Sequence, residues 1–249
     1  MKFLCLPGTF GSAVNFESQL QPLVFRLKEH GIAQFTFTQG QHKATPPPGF
    51  ERYFGLPPNY RFIGFDGLHG NIRNLTVGEG YHEDTMRRHV HANKVDRCPW
   101  ANVQDAINYV FETMEADQDI QGLLAYSEGA MIAATMVLQD AQRAVRDSRP
   151  RRIKCAIFLS GWPPLCEREG GGTSLLLADE TTKDMMIDIP TLHVLGCNDP
   201  YLAGAVSLYN MCDEDTAELL DHGMGHAIPR DADTVELICN AARRLVDKV

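Results

Sequence analysis

Short apolar runs alternate with amphipathic helical patterns along most of this chain. Between the runs, apolar residues recur at spacings of three and four, as in residues 100–114 and near the C-terminal end. The alternation predicts an α/β fold, with a mostly parallel sheet covered by helices on both faces. Six runs are predicted strands, because each is short, apolar or β-branched and bounded by turn residues: 2–7, 34–38, 121–127, 154–160, 190–196 and 216–222.

Two segments interrupt this alternation. Residues 39–80 are dense in proline, glycine and aromatic residues and show neither period, and residues 161–188 follow the strand that ends at Ser160. Both come after the carboxyl ends of predicted strands, where open α/β sheets place their ligand crevice. They are either surface insertions or functional loops, and the aromatic residues of 39–80 favour a lid or pocket wall for an apolar substrate. No linker or internal repeat divides the chain, so residues 1–249 are expected to form one domain.

Charge and cysteine content restrict the partners and the compartment. The net charge is −9, from 23 basic and 32 acidic residues, which opposes binding to nucleic acid or to anionic membranes. The apolar run before Pro7 is too short for a signal peptide, and no later run is long enough to span a membrane. Seven cysteines without a C-x-x-C pair favour a reduced, cytoplasmic protein, in which Cys5, Cys155 and Cys197 of the apolar runs are expected to be buried.

Metal and phosphate sites find little support in the sequence. His82, His89 and His91 form a candidate metal cluster, but they lie in the charged stretch 81–94, which is typical of a solvated helix or loop. The chain has neither a G-x-G-x-x-G nor a G-x-x-x-x-G-K-[ST] motif. We therefore expect neither a metal nor another cofactor.

The stretch LLAYSEGA, residues 123–130, places Ser127 between a predicted strand and a predicted helix. It differs from the G-x-S-x-G nucleophile elbow at the first glycine, where Ala125 stands. A serine at such a turn exposes its hydroxyl above the sheet, but the same position also suits a serine that caps the helix. From this stretch alone, both interpretations remain open.

Two residues further along the chain complete a candidate catalytic triad. A serine hydroxyl needs a base to take its proton, and the base needs an acid to orient it. Asp199 follows the run 190–196, although it precedes Pro200 and also suits the start of the next helix. His226 lies in a glycine-rich turn after the last predicted strand, and we favour it over His222 at the strand end. The order Ser, acid, His is that of α/β-hydrolases.

The reaction also needs donors for a developing oxyanion. The backbone N–H groups of Thr9, in the tight loop after the first strand, and of Glu128, at the start of a helix, are expected to supply them. Three aromatic residues near these loops are candidate substrate contacts: Phe10, Tyr126 and Trp162.

Four stretches resemble the fungal FSH family of serine hydrolases over essentially the whole chain: LCLPGTFGSAVNFESQL, AYSEGA, IPTLHVLGCNDPYLAGAVSL and HGMGHAIPR. The resemblance implies an α/β-hydrolase fold with Ser127 as nucleophile, Asp199 as acid and His226 as base. SEGA and IPTLH look most like the subgroup encoded in polyketide pathways, whose members act as stand-alone enzymes on acyl chains held by a polyketide synthase. Hydrolysis of the thioester on an acyl carrier domain is therefore the leading expectation for function.

Two departures from the family pattern keep other functions open. Pro7-Gly8 stands where the family usually has His-Gly, and Ala125 replaces a glycine, so both departures adjoin the expected oxyanion hole. Proline lacks an N–H and fixes φ, which can shift the donors of the loop. The alternatives are an enzyme that joins two polyketide chains, a general carboxylesterase, and an inactive homologue that binds a ligand.

Overall fold

The computed structural model describes residues 1–49, 51–65, 82–181 and 185–249. Its strands are β1 (Lys2–Leu6), β2 (Gln34–Phe37), β3 (His42–Ala44), β4 (Asn59–Arg61), β5 (Ile120–Tyr126), β6 (Cys155–Leu159), β7 (Leu165–Glu167), β8 (Thr173–Leu175), β9 (Thr191–Leu195) and β10 (Ala217–Asp221). Its α-helices are α1 (Ala13–Glu29), α2 (Glu51–Phe54), α3 (His82–Ala92), α4 (Trp100–Glu115), α5 (Glu128–Arg146), α6 (Leu202–Tyr209) and α7 (Ala232–Asp247).

Six strands form one parallel sheet in the spatial order β10-β9-β6-β5-β1-β2. These are the six strands that the apolar runs predict, each within one residue of the predicted bounds. The prediction succeeds because strands covered on both faces are nearly continuous apolar runs. The strand order reverses between β1 and β5, which opens a crevice at their carboxyl ends.

Helices cover both faces of the sheet, which confirms the predicted α/β class. On one face, α1 and α7 pack against β1, β6 and β9 through residues such as Phe16 and Ile238. On the other face, α4 and α5 bury residues such as Ile107 and Ile132. The predicted helix over 100–114 is α4, and it ends one residue later.

The two interrupting segments contain short hairpins that hydrophobic periodicity does not reveal. Within 39–80, β3 and β4 pair antiparallel and α2 lies between them; residues 50 and 66–80 lie outside the described part. Within 161–188, β7 and β8 pair antiparallel. Each of these strands has three residues, too few for an alternating pattern to show in the sequence. The lack of a strand period in 39–80 therefore does not mean that the segment lacks strands.

Helix α3, which lies in the charged stretch 81–94, is more buried than the composition of that stretch indicates. Helix α3 buries Glu83, Met86 and His89 on one face, because residues three and four apart lie on the same side of a helix. The Glu83 carboxylate accepts a hydrogen bond of 2.8 Å from the Asn210 amide, so the buried charge has a partner. Within the described ranges, no three His, Cys, Asp or Glu side chains gather into a possible metal site.

The cysteines are free in the described structure, but one expectation about their burial was wrong. Cys5 and Cys155 are buried in strands as predicted, whereas Cys197 is exposed. Strand β9 ends at Leu195, so Cys197 lies on the following loop, where its N–H donates to Asp221. None of the described helices is long and apolar enough to cross a membrane.

His193 is a buried, neutral histidine in β9, the strand next to the edge strand β10. It lies in β9, its Nε2 is 3.1 Å from the hydroxyl of Thr191, and its ring contacts Phe158 and Tyr209. Burial lowers the pKa of His193 to about 3. The imidazole therefore stays uncharged in the folded protein at any pH near neutral.

Because of this lowered pKa, we expect the free energy of unfolding to fall as the pH falls. The fall should be smaller in His193→Gln, which has no imidazole to protonate. Below about pH 6.5 the unfolded chain binds a proton at His193 that the folded chain does not, so acid favours unfolding by about 1.4 kcal/mol per pH unit. Urea unfolding of both proteins at about pH 7 and about pH 5.5 measures the difference, since other titrating groups cancel. If the unfolding free energies of the wild type and of His193→Gln differ by the same amount at both pH values, the burial argument is contradicted.

Candidate active site

Ser127 occupies a strained turn between β5 and α5. Its backbone has φ 53° and ψ −118°, a left-handed conformation that costs a residue with a side chain about 1–3 kcal/mol. Its N–H donates to the Leu159 carbonyl of β6 at 3.1 Å, which ties the turn to the neighbouring strand. The hydroxyl makes no capping bond to α5. Of the two interpretations left open by the sequence, the structure therefore shows the elbow and not a serine whose hydroxyl caps the helix.

The turn is possible because glycines let two backbones come close together. A Cβ at Gly129 would lie 2.4 Å from the Pro7 carbonyl oxygen and 2.5 Å from that of Leu6, both parts of a rigid backbone. A Cβ at Gly8 would lie 3.0 Å from the Cβ of Ser127. The loop after β1 therefore lies directly against the serine.

Ser127, His226 and Asp199 form one chain of hydrogen bonds. The Ser127 Oγ lies 3.1 Å from His226 Nε2, and His226 Nδ1 lies 2.8 Å from Asp199 Oδ2. Because the ionised carboxylate can only accept, Nδ1 carries the proton and Nε2 is left to accept the serine proton. The arrangement can thus turn the hydroxyl into a nucleophile and stabilise the imidazolium that forms.

Asp199 is held by a second bond as well. Its Oδ1 accepts the Tyr201 N–H at 2.7 Å, and the residue is 4% exposed. Helix α6 begins at Leu202 with Tyr201 at its N-cap, so Asp199 lies before the helix and does not cap it. Asp199 therefore does not begin the helix. Its carboxylate instead accepts a hydrogen bond that closes a turn and orients the side chain towards His226.

His222 lies outside this chain of hydrogen bonds. Its Nδ1 accepts the Met224 N–H at 3.3 Å, and its ring packs against the backbone at Gly196. Burial lowers the pKa of His222, which keeps this ring neutral at neutral pH. The structure therefore places His226, and not His222, on the serine, as the sequence favours.

Two tyrosine hydroxyls converge on the backbone carbonyl of His226. Tyr126 donates to that oxygen at 3.1 Å, Tyr53 donates to the same oxygen, and the two hydroxyls lie 3.1 Å apart. The Tyr201 ring packs edge-on against the imidazole, with ring centres 4.7 Å apart. Burial raises the pKa of all three phenols, so they remain neutral around the histidine.

An aromatic pocket opens above Ser127. All three predicted aromatic contacts, Phe10, Tyr126 and Trp162, line it, as do Thr9 and Glu128. The sequence predicts that segment 39–80 forms a pocket wall, but it does not single out the two aromatic residues of that segment that line the pocket. Two further lining residues were missed as well. The four additional lining residues are Tyr53, Phe54, Met131 and Tyr201.

The sequence spacing of two of the missed residues indicates that they lie at the pocket. Met131 lies four residues after Ser127, so one helical turn brings it back to the same side of α5. Tyr201 lies two residues after Asp199, whose turn carries it to the pocket. Tyr53 has no such signal, because its position depends on α2 packing against α1, where Asn15 donates to the Phe54 carbonyl at 3.1 Å.

Comparison with known sequences identifies the family. Residues 1–238 match the family described as Serine hydrolase (FSH1). The chain belongs to this family. The match confirms the resemblance that the four sequence stretches indicate.

Two relatives match nearly the whole of this chain. Esterase FPY3 of Fusarium mangiferae is 27% identical over 250 residues, which cover 100% of this chain and 98% of the relative. Hydrolase phiM of Talaromyces stipitatus is 25% identical, over 98% of this chain and 87% of its own. Acyl-protein thioesterase 2 of Zea mays superposes with a TM-score of 0.54 at 14% identity, over 98% and 93% of the two chains. This structural likeness shows the fold alone, which is the α/β-hydrolase fold.

The two departures from the FSH1 family pattern are accommodated without disturbing the chain of hydrogen bonds. Ala125 is fully buried in β5 between Leu6 and Phe158 of the adjoining strands, so its methyl group belongs to the core. Pro7 follows the last paired residue of β1, so its missing N–H removes no bond from the described ladder. Neither residue displaces Ser127 from His226.

Restoring the family glycine with Ala125→Gly should lower stability and leave turnover unchanged. The substitution removes a buried methyl group and frees the unfolded backbone, which together lower the free energy of unfolding by about 1–2 kcal/mol. Thermal unfolding should shift down by about 3–6 °C, while kcat/KM on any ester substrate stays within about twofold of the wild type. A large rise in kcat/KM would instead show that the alanine distorts the elbow.

Proposed function

We propose that this protein hydrolyses acyl thioesters through an acyl-enzyme on Ser127. The hydrogen bonds from Ser127 to His226 and on to Asp199 are the observation that carries the proposal. The serine oxygen attacks the thioester carbonyl while its proton passes to His226 Nε2. The carbon–sulfur bond then breaks, and the thiol leaves with that proton.

Water completes the cycle by the same steps in reverse. It attacks the acyl-enzyme, gives a proton to His226, and releases the carboxylic acid as the serine oxygen takes the proton back. In both halves the backbone N–H groups of Thr9 and Glu128 would hold the negative oxygen of the tetrahedral intermediate. Asp199 keeps the proton on Nδ1 throughout and stabilises the charged imidazole.

The pocket supports an uncharged, largely apolar acyl group. Six of its lining residues are aromatic, and no lysine or arginine lies among the described residues that line it. An acyl chain ending in a carboxylate would find no cation there and would lose its hydration. Together with the resemblance of SEGA and IPTLH to the polyketide subgroup, this favours a polyketide chain delivered by an acyl carrier domain.

Other functions make different demands on the same site. A general carboxylesterase would accept oxygen esters as readily as thioesters, and a coupling enzyme would pass the acyl group to a second chain instead of water. An inactive homologue would not need the chain of hydrogen bonds, so the geometry argues against it. No particular contact in the described structure favours coupling over hydrolysis.

A serine-directed fluorophosphonate tests the nucleophile. We expect one adduct, on the peptide that carries Ser127, and a loss of turnover of at least about 10³-fold in Ser127→Ala. Ser207→Ala is a matched control, because Ser207 is fully buried in α6 outside the pocket and should keep both labelling and turnover. Turnover retained in Ser127→Ala, with no adduct on that peptide, would overturn the proposal.

A panel of acyl thioesters and matched oxygen esters tests the substrate class. We expect free acid as the product, higher kcat/KM for thioesters, and a preference for apolar acyl chains over chains that end in a carboxylate. Mass spectrometry of the products with two thioesters present together separates water from a second chain as acceptor. A coupled product in place of free acid would favour the joining enzyme, and equal rates on both ester types would favour the carboxylesterase.

A further inference from the structure

One buried carboxylate beside the nucleophile has no part in the mechanism above. Glu128 is the residue directly after Ser127, and it is 3% exposed. Its Oε2 accepts the Thr9 hydroxyl at 3.0 Å and the Phe62 N–H at 3.4 Å, while its Oε1 accepts the Ile63 N–H at 3.2 Å. A single side chain therefore joins three separate segments of the chain: the start of α5, the loop after β1 and the segment after β4.

A negative charge on this side chain would not favour the proposed reaction. A carboxylate on the residue next to the nucleophile repels the negative oxygen that forms in the transition state. Any gain for catalysis must therefore come from where the carboxylate holds its partners. Its partner Thr9 is well placed for this, because the N–H groups of Thr9 and of Glu128 itself are the two that are expected to face that oxygen.

We infer that Glu128 is a positioning residue whose carboxylate holds Thr9 beside the start of α5 and so sets the spacing of the two oxyanion donors. The inference rests on the proposed function. The two donors lie 119 residues apart in the chain, and the bond from Thr9 Oγ1 to Glu128 Oε2 links their side chains directly. The backbone N–H groups of Phe62 and Ile63, two buried residues, also donate to this carboxylate and tie it to the segment after β4.

Removal of the hydroxyl from Thr9 tests this inference with little change of shape. In Thr9→Val we expect kcat to fall about 10- to 100-fold while KM changes by less than about threefold, because spacing of the donors matters most in the transition state. Thr9→Ser keeps the hydroxyl and should return kcat to within about threefold of the wild type. A fall in melting temperature alone would not produce this separation of kcat from KM.

Glu128→Gln completes a double-mutant cycle with Thr9→Val. If the two side chains act as a pair, the double variant should lose no more kcat than the more damaged single variant. Glu83→Gln is the control, because Glu83 is also a buried, hydrogen-bonded glutamate but lies in α3 outside the pocket lining. It should keep the wild-type kcat.

Two outcomes would overturn the inference: wild-type kcat in Thr9→Val, with or without a rise in KM, and additive losses in the double variant. These outcomes are distinct from failure of the proposed function. If the proposed function fails, Ser127→Ala retains turnover and the peptide that carries Ser127 shows no fluorophosphonate adduct. Labelling of Ser127 together with a wild-type kcat in Thr9→Val would reject the positioning role alone.

Discussion

The site depends on the close approach of the end of β1 to the first turn of α5. Gly129 makes this approach possible, since a Cβ there would lie within 2.5 Å of two backbone carbonyl oxygens. The approach fixes the start of the helix, and with it the positive φ of Ser127. A strained residue persists only when its surroundings hold it on every side, and here β1, β6 and α5 do so.

The parallel sheet then supplies the remaining groups without further strain. The carboxyl ends of parallel strands meet at one edge, so the loops after β9 and β10 bring Asp199 and His226 to the same place as Ser127. Strand order reverses at β1 and β5, and the crevice that results is the aromatic pocket. Fold and site are therefore consequences of one topology.

Sequence reasoning succeeded where local pattern and chain order carry the information. The six strands are apolar runs, and Ser127, Asp199 and His226 stand in the hydrolase order behind the predicted strands. It failed where a contact depends on packing between distant segments. His89 lies in a charged stretch but is buried against Trp162, with ring centres 4.8 Å apart, and no spacing in the sequence indicates this. The hydroxyl of Tyr53 reaches the carbonyl of His226 across 173 residues.

The most direct test of the account is a rapid-quench measurement of intact mass after mixing the protein with an acyl thioester. We expect a transient mass increase equal to the acyl group, located on the peptide that contains Ser127 and absent in Ser127→Ala. The same measurement addresses the one exposed thiol among the described cysteines, at Cys197. Turnover without an acylated Ser127 peptide, or with the acyl group on Cys197, would contradict the account.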